Sequence, residues 1–365
     1  MMETETTKIL GLGVDISKKR AEICLKNPAV ADSFAVSNDD QGISTLLRKL
    51  KPYVEAGLVV KGAIESTGNL WMRVYEALEQ SGIDIALANP LKTKAIAEAR
   101  IKSDGIDASI LADLARADLV AKCYVPDKRT REVRSLVRYR VDLAQRSTEL
   151  KNKVHNILDK YSLRYDGLLF TDRGLEWLNE QVRNRLSVID GQLVNSYLKE
   201  IATMEELIAS VERQMAKLAI KDKKVELLLG FTGIDYYGAL LLLYEIGDIT
   251  RFSNPRKLVS WAGLAPSLHQ SGIVSYTGRI TKQGNRRVRW YLVEAAQRAA
   301  RYDPKLKPFY ERIAQRKGHQ KAIVAVARKI LVSVYWVLTR NEPYDGYRDD
   351  VKTRKLKRLE RLSAC

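Results

Sequence analysis

The sequence is poor in the residues that build compact metal or redox sites. Three cysteines, Cys24, Cys123 and Cys365, are scattered over 365 residues. Their odd number and wide spacing exclude a disulfide framework and a zinc ribbon, and fit a reducing, cytoplasmic setting. Three histidines, His155, His269 and His319, are too few for a histidine-based metal site. None is followed by arginine at the His-x-x-Arg spacing of a tyrosine recombinase. No run of 18 apolar residues occurs, so neither a transmembrane helix nor a membrane partner is expected. The opening MMETETTKIL is polar and acidic, unlike a secretory leader.

Positive charge, in contrast, is abundant. The formal net charge is +18 with a pI near 9.6, a balance that suits a polyanionic partner. It is unevenly placed. Residues 1–118 carry 15 Lys+Arg against 17 Asp+Glu, whereas the remaining 247 carry 47 against 27. Acidic chemistry is therefore expected in front and the grip on a polyanion behind.

Apolar runs at 8–15, 20–26, 33–37, 58–64 and 84–88 predict five strands. Helical patterns lie at about 40–50, 68–79, up to Arg100 and again from Ser103 to Leu119. Three strands followed by alternating helix and strand predict a ribonuclease-H-like α/β domain over 1–122, with a mixed sheet. Beyond Pro126, helical patterns at 130–161 and 175–218 predict either a coiled-coil arm, assigned to 123–222, or helices packed on their own domain. Residues 223–345 read as a mainly α domain. The turn FTGID at 231–235 reads as either a helix-hairpin-helix-like element or a plain helical hairpin, and glycines 263, 272, 278 and 284 predict a mobile loop. The last residues, 346–365, read as a basic tail, helical or disordered.

Four carboxylates stand out. Asp15 and Glu65 end strands, and Asp104 and Asp107 are spaced to share one helix face. Like charges this close repel unless a cation neutralises them, and oxygen donors select Mg²⁺ or Mn²⁺. Spacing alone leaves two readings open, a metal site or a set of helix caps and solvated acids. In the basic half, hydroxyls including Ser267, Ser271 and Ser275 precede Arg279, Lys282, Arg286, Arg287 and Arg289. Such a cluster suits nucleic-acid phosphates. Each arginine could equally serve a backbone contact or a solvated face. The turn Ser17-Lys18-Lys19 lacks the glycine of an actin-like phosphate loop, which argues against a kinase.

GLGVDISK with Asp15, AIESTGN with Glu65 and KSDGIDASILA with Asp104 and Asp107 resemble the DEDD-motif insertion-sequence transposases, also called bridge-RNA-guided recombinases, and their pilin-invertase relatives. FTGIDYYGALLLLYEIGDITRFSNPRKLVSWAGLAP followed by Ser271-Gly272 extends the match into the second half. The resemblance implies a RuvC-like N-terminal domain, a coiled-coil arm and a C-terminal transposase domain. It implies Mg²⁺ on Asp15, Glu65, Asp104 and Asp107, and Ser271 as a nucleophile forming a covalent phosphoserine link to DNA. It also implies donor and target DNA chosen by a non-coding guide RNA, and dimers pairing into tetramers in which one subunit's carboxylates meet another's serine. The residues themselves leave two other readings open: a metal-dependent nuclease of the Holliday-junction-resolvase type, and a non-catalytic RNA-binding protein.

Overall fold

The computed structural model describes residues 8–66, 68–101, 107–271, 274–344, 346 and 348–364. The chain divides into two compact units between Val125 and Pro126.

The first unit is built on β1 (Ile9–Ile16), β2 (Arg20–Lys26), β3 (Ala31–Ser37), β4 (Val59–Glu65) and β5 (Asp84–Ala88). They form one sheet in the order β3-β2-β1-β4-β5. β1 and β3 both run antiparallel to β2; β4 runs parallel to both β1 and β5. The expected mixed sheet is thus present, with strand ends within two residues of the apolar runs. The helices are α1 (Asp40–Glu55), α2 (Trp71–Gln80), α3 (Pro90–Ile101) and α4 (Ala108–Arg116).

β1 alternates between two covered faces. Leu10, Leu12, Val14 and Ile16 join Leu46 and Leu50 of α1 and Trp71, Val74 and Leu78 of α2 in one core. Gly11 and Gly13 lie on the opposite face, under α4. A Cβ on Gly13 would come 1.7 Å from the carbonyl oxygen of Ala108, and one on Gly11 2.2 Å from that of Ala112. Glycine is required here because the helix backbone rests directly on the strand.

In the second unit, α5 (Lys128–Lys160) and α7 (Val188–Ala219) form a long antiparallel pair. Their ion pairs run in opposite chain directions: Arg140 with Glu212 (2.7 Å), Lys151 with Glu205 (2.9 Å) and Lys160 with Asp190 (3.1 Å). At 1.5 Å per residue each helix is roughly 50 Å long. α6 (Asp172–Asn184) packs at the far end, where Leu178 joins Leu150, Val154, Val194 and Ile201. The helical pattern expected to run unbroken over 175–218 is in fact two helices. Thr171 and Ser187 cap the starts of α6 and α7, and Gly174 lies inside α6.

The rest comprises α8 (Lys223–Leu229), α9 (Tyr236–Ile246), a 3₁₀ turn at Ile249–Arg251, α10 (Pro255–Trp261), β6 (Pro266–Ser271), β7 (Val274–Ile280), α11 (Arg286–Tyr302), α12 (Leu306–Lys317), α13 (His319–Arg340) and α14 (Asp349–Ala364). One expectation is corrected, and one left open between two readings is decided. The segment read as a mobile loop is an antiparallel β-hairpin with a bulge near Pro266. The basic tail is a helix with Val351 and Leu359 buried, docked on α7 and α8. α13 is apolar and long enough to cross a membrane by length and composition, but Val326, Ala327, Ile330, Leu331 and Val334 lie in the core of this unit.

Candidate functional site

Asp15 sits near the end of β1, directly across from Glu22 of β2. On its other side β4 ends in Glu65, one residue past the parallel pair Val14–Ile64. Residues paired across neighbouring strands share a face, so three carboxylates from three strands gather at one edge of the sheet. A fourth comes from α4. The bare backbone at Gly11 and Gly13 lets that helix settle on β1, and this brings its N-cap, Asp107, up to Asp15.

The electrostatics record the crowding. Burial, then the negative charges of Glu22 and Asp107, raise the pKa of Asp15 above the ordinary aspartate range. Burial, then the charge of Asp15, raise that of Glu65. Arg20 forms an ion pair with Glu22.

Asp107 differs from expectation. Its backbone is extended (φ −101°, ψ 174°), and its Oδ1 accepts a hydrogen bond from the Ile110 amide at 2.8 Å. It is therefore the cap before the helix, not a member of a helix face shared with Asp104. Asp104 lies outside the described residues. Glu22 joins the cluster without having been anticipated. Its signal was the alternation in RAEICLK, which puts Glu22 on a face that hairpin pairing turns toward Asp15.

Among the described residues, no three His, Cys, Asp or Glu side chains approach closely enough to form a ready metal cluster. The donor chemistry is nonetheless that of a hard cation. Every contributor is a carboxylate, and the crowding disfavours the charged forms that a divalent ion would stabilise.

In the second unit, Ser271 is the last residue of β6 and pairs with Val274. The base of its hairpin is pinned to the helices around it. The Thr281 amide donates to the Ala265 carbonyl (2.9 Å), that of Lys282 to Gly263 (3.2 Å) and that of Asn285 to Trp261 (3.1 Å). Gly284, at φ +107°, passes so near Trp261 that a Cβ would lie 1.9 Å from its carbonyl oxygen. Below this, Asn285 caps α11 by accepting from Val288 N, and donates through Nδ2 to Glu245 at 2.7 Å.

Glu245, 2% exposed, receives a two-pronged contact from Arg138 at 2.6 and 2.8 Å. Burial alone would raise its pKa. The hydrogen bonds and charge of Arg138 outweigh that, with Asn285 and Arg134 helping, and hold it below the usual glutamate range.

The five cations expected to meet nucleic acid divide into two groups. Arg279, Lys282 and Arg286 are exposed. Arg287 pairs with Asp142 (3.2 Å), and Arg289 donates to the Ala262 carbonyl (3.0 Å), so both also serve the fold. Burial, then the charge of Arg286, lower the pKa of Arg289.

Known proteins carry the same two parts. A DEDD transposase profile of the IS110 type matches residues 12–163, and a profile described as the transposase IS116/IS110/IS902 family matches 225–311. The chain is 26% identical over 348 residues to the transposase for insertion sequence element IS1111A of Coxiella burnetii, covering 91% of this chain and 90% of that protein. It is 24% identical over 395 residues to the 43.6 kDa protein of insertion element IS110 of Streptomyces coelicolor, at 93% and 96% coverage. It is 24% identical over 341 residues to the pilin gene-inverting protein of Moraxella bovis, at 92% and 97%. With a transposase profile on each half and relatives matching along nearly its whole length, the chain belongs to the IS110/IS116 family of insertion-sequence transposases.

Proposed function

We propose that the chain cuts and exchanges DNA strands through a carboxylate-held divalent metal and a serine nucleophile. The observation that carries this is the placing of Asp15 between Glu65 and Asp107 at the end of β1 and β4, in a domain whose strand order suits a RuvC-like nuclease fold. Asp15, Glu65, Asp107 and Asp104 would hold the ion, Mg²⁺ or in its place Mn²⁺. When bound, it supplies positive charge that stabilises the oxygens around the scissile phosphorus.

The chain's own residues supply the rest. Ser271 gives up its hydroxyl proton as Oγ bonds to phosphorus. The bond from phosphorus to the departing strand breaks, and the leaving oxygen takes a proton. A phosphoserine ester retains the energy of the broken bond, so rejoining needs no external source. Arg279, Lys282 and Arg286 would hold the phosphate backbone beside the hairpin. Sequence choice would rest with a non-coding guide RNA pairing with donor and target DNA, and the working assembly would be dimers paired into a tetramer.

The test uses the full chain with DNA carrying the element's ends. Wild type should yield protein–DNA adducts that survive detergent. Ser271→Ala should lose them together with cleavage, whereas Ser275→Ala should keep both. Continued cutting by Ser271→Ala would assign the nucleophile to water and the chain to the resolvase-type nucleases. Sequencing of co-purified RNA tests the guide, and recovery of no discrete species would contradict it.

A further inference from the structure

The second unit holds a basic cleft of about 910 Å³ that lies apart from the hairpin and its arginines. It opens between the turn joining α8 to α9, the end of α11 and the face of α14. Six of its lining side chains are basic, Arg298, Arg301, Arg348, Lys355, Arg354 and Arg358, against one acid, Asp235.

Elsewhere in this unit Arg138 is matched to Glu245 and Arg140 to Glu212. Among the described residues of the cleft, only Arg348 has such a partner, Asp350 at 2.7 Å. Among the described residues, Arg298, Arg301, Arg354 and Arg358 form no ion pair with a carboxylate. Arg298 and Arg301 stand three apart on α11, and Arg354 and Arg358 four apart on α14, so like charges face each other along both helices. That arrangement costs stability on its own.

Lys355 does not share the task. Its Nζ donates to the carbonyls of Leu229 (2.8 Å), Phe231 (2.6 Å) and Ile234 (2.5 Å), fixing the turn. Burial lowers its pKa to about 8. The turn is also pressed on α11, since a Cβ on Gly233 would lie 2.5 Å from the Ala295 carbonyl.

Two further features point to a ligand. Thr232 lines the cleft at 8% exposure, and its Oγ1 is buried with no hydrogen-bond partner among the described residues. A buried hydroxyl left unpaired is costly, and an anion oxygen in the cleft would satisfy it. Tyr302, on the rim, is 64% exposed. An exposed aromatic ring beside unpaired arginines is the pairing that holds single-stranded nucleic acid, with phosphates on the cations and a base on the ring.

We propose that this cleft binds a single-stranded segment of nucleic acid. Arg298, Arg301, Arg354 and Arg358 contact its phosphates, Thr232 donates to a phosphate oxygen, and Tyr302 stacks on an unpaired base. The site does not involve Ser271 or the carboxylates, so it stands or falls separately from the cleavage chemistry, and Ser271→Ala should bind as wild type does.

Fluorescence anisotropy with labelled 12-nucleotide oligothymidylate and oligouridylate, over a range of salt, tests it. Arg298→Ala/Arg301→Ala and Arg354→Ala/Arg358→Ala should each weaken binding at least about tenfold at 0.1 M salt. Each should also reduce the slope of log affinity against log salt by about 1.4, at roughly 0.7 per phosphate contact on single strands. Tyr302→Ala should weaken binding about fivefold or more with the slope unchanged, and Tyr302→Phe should restore it. Thr232→Val, which removes only the orphaned hydroxyl, should keep or raise the melting temperature while weakening binding a few fold. The better-bound oligonucleotide identifies the source as DNA or RNA.

Three results would overturn the proposal: duplex DNA bound as tightly as the single strands, unchanged salt slopes in both arginine pairs, or an equal loss in the distant surface variant Arg183→Ala/Lys199→Ala. Since Tyr302→Ala and Thr232→Val alter one exposed and one small side chain, they still read the site if an arginine pair fails to fold.

Discussion

Asp15 and Glu245 are partly or wholly buried acids in opposite surroundings. Asp15 has Glu22, Glu65 and Asp107 for neighbours, and burial and repulsion raise its pKa. Glu245 is the more deeply buried, yet Arg138 grips it with two hydrogen bonds and holds its pKa down. The first unit crowds Asp15 and Glu65 with other acids at one end of its inner strands, whereas the second matches Glu245 to arginine inside the fold. A buried acid matched by arginine is part of the scaffold; Asp15 and Glu65, crowded beside Glu22, which alone of the group is paired to an arginine among the described residues, are the acids we propose are arranged for a cation from outside.

The contrast can be broken most forcefully from the paired side. Arg138→Ala strips Glu245 of its main partner and leaves a buried charge supported only by Asn285 and Arg134. The expected loss is about 3 kcal/mol, read as a shift in the urea midpoint. Gly13→Ala attacks the unpaired side through the backbone. Its Cβ would force α4 off β1 and carry Asp107 away from Asp15, at about 2–3 kcal/mol by hydrogen exchange in the first unit, with loss of DNA cleavage.

Asp15→Asn separates stability from function. Without metal it should leave the first unit unchanged or more stable by roughly 0.5–1 kcal/mol, because a repelling charge is gone, while cleavage disappears. The smallest effect is the pH dependence, and here the two regions should have opposite signs. Asp15 and Glu65 have raised folded-state pKa values. The stability they contribute is present below the ordinary carboxylate range and lost as pH rises through the raised values. Glu245 has a lowered one. Its contribution is present above the ordinary glutamate range and lost as pH falls below it. Hydrogen exchange in metal-free protein, followed in β1 and in α9, should show protection falling with rising pH in the first and with falling pH in the second.

How much of this could be read in advance follows from the range of the interactions. The five strands and their alternation with helices were legible because each is a local apolar run between turn residues. Asp15 and Glu65 were legible because strand ends are. Asp107 was misread because an N-cap one residue before Ala108 and a first-turn helical residue look alike in spacing. The hairpin at 266–280 reads as a loop because glycine, serine and threonine are common to both. Nothing local marks it as pinned by Asn285, Thr281 and Lys282. Glu245 sits in the apolar run LLLLYEIG and is explained chiefly by Arg138, 107 residues away. Thr232 is silent in the sequence, since an unmet hydrogen bond is a property of its surroundings.

The carboxylates at the end of β1 and β4 are the cation site proposed above. Electron paramagnetic resonance of Mn²⁺ titrated into the full-length protein tests it most directly, by counting bound against free ion. Wild type should bind Mn²⁺ with a rise in the protection of β1, and both Asp15→Asn and Glu65→Gln should lose that binding while remaining folded. Undiminished Mn²⁺ binding in those two variants would contradict the account.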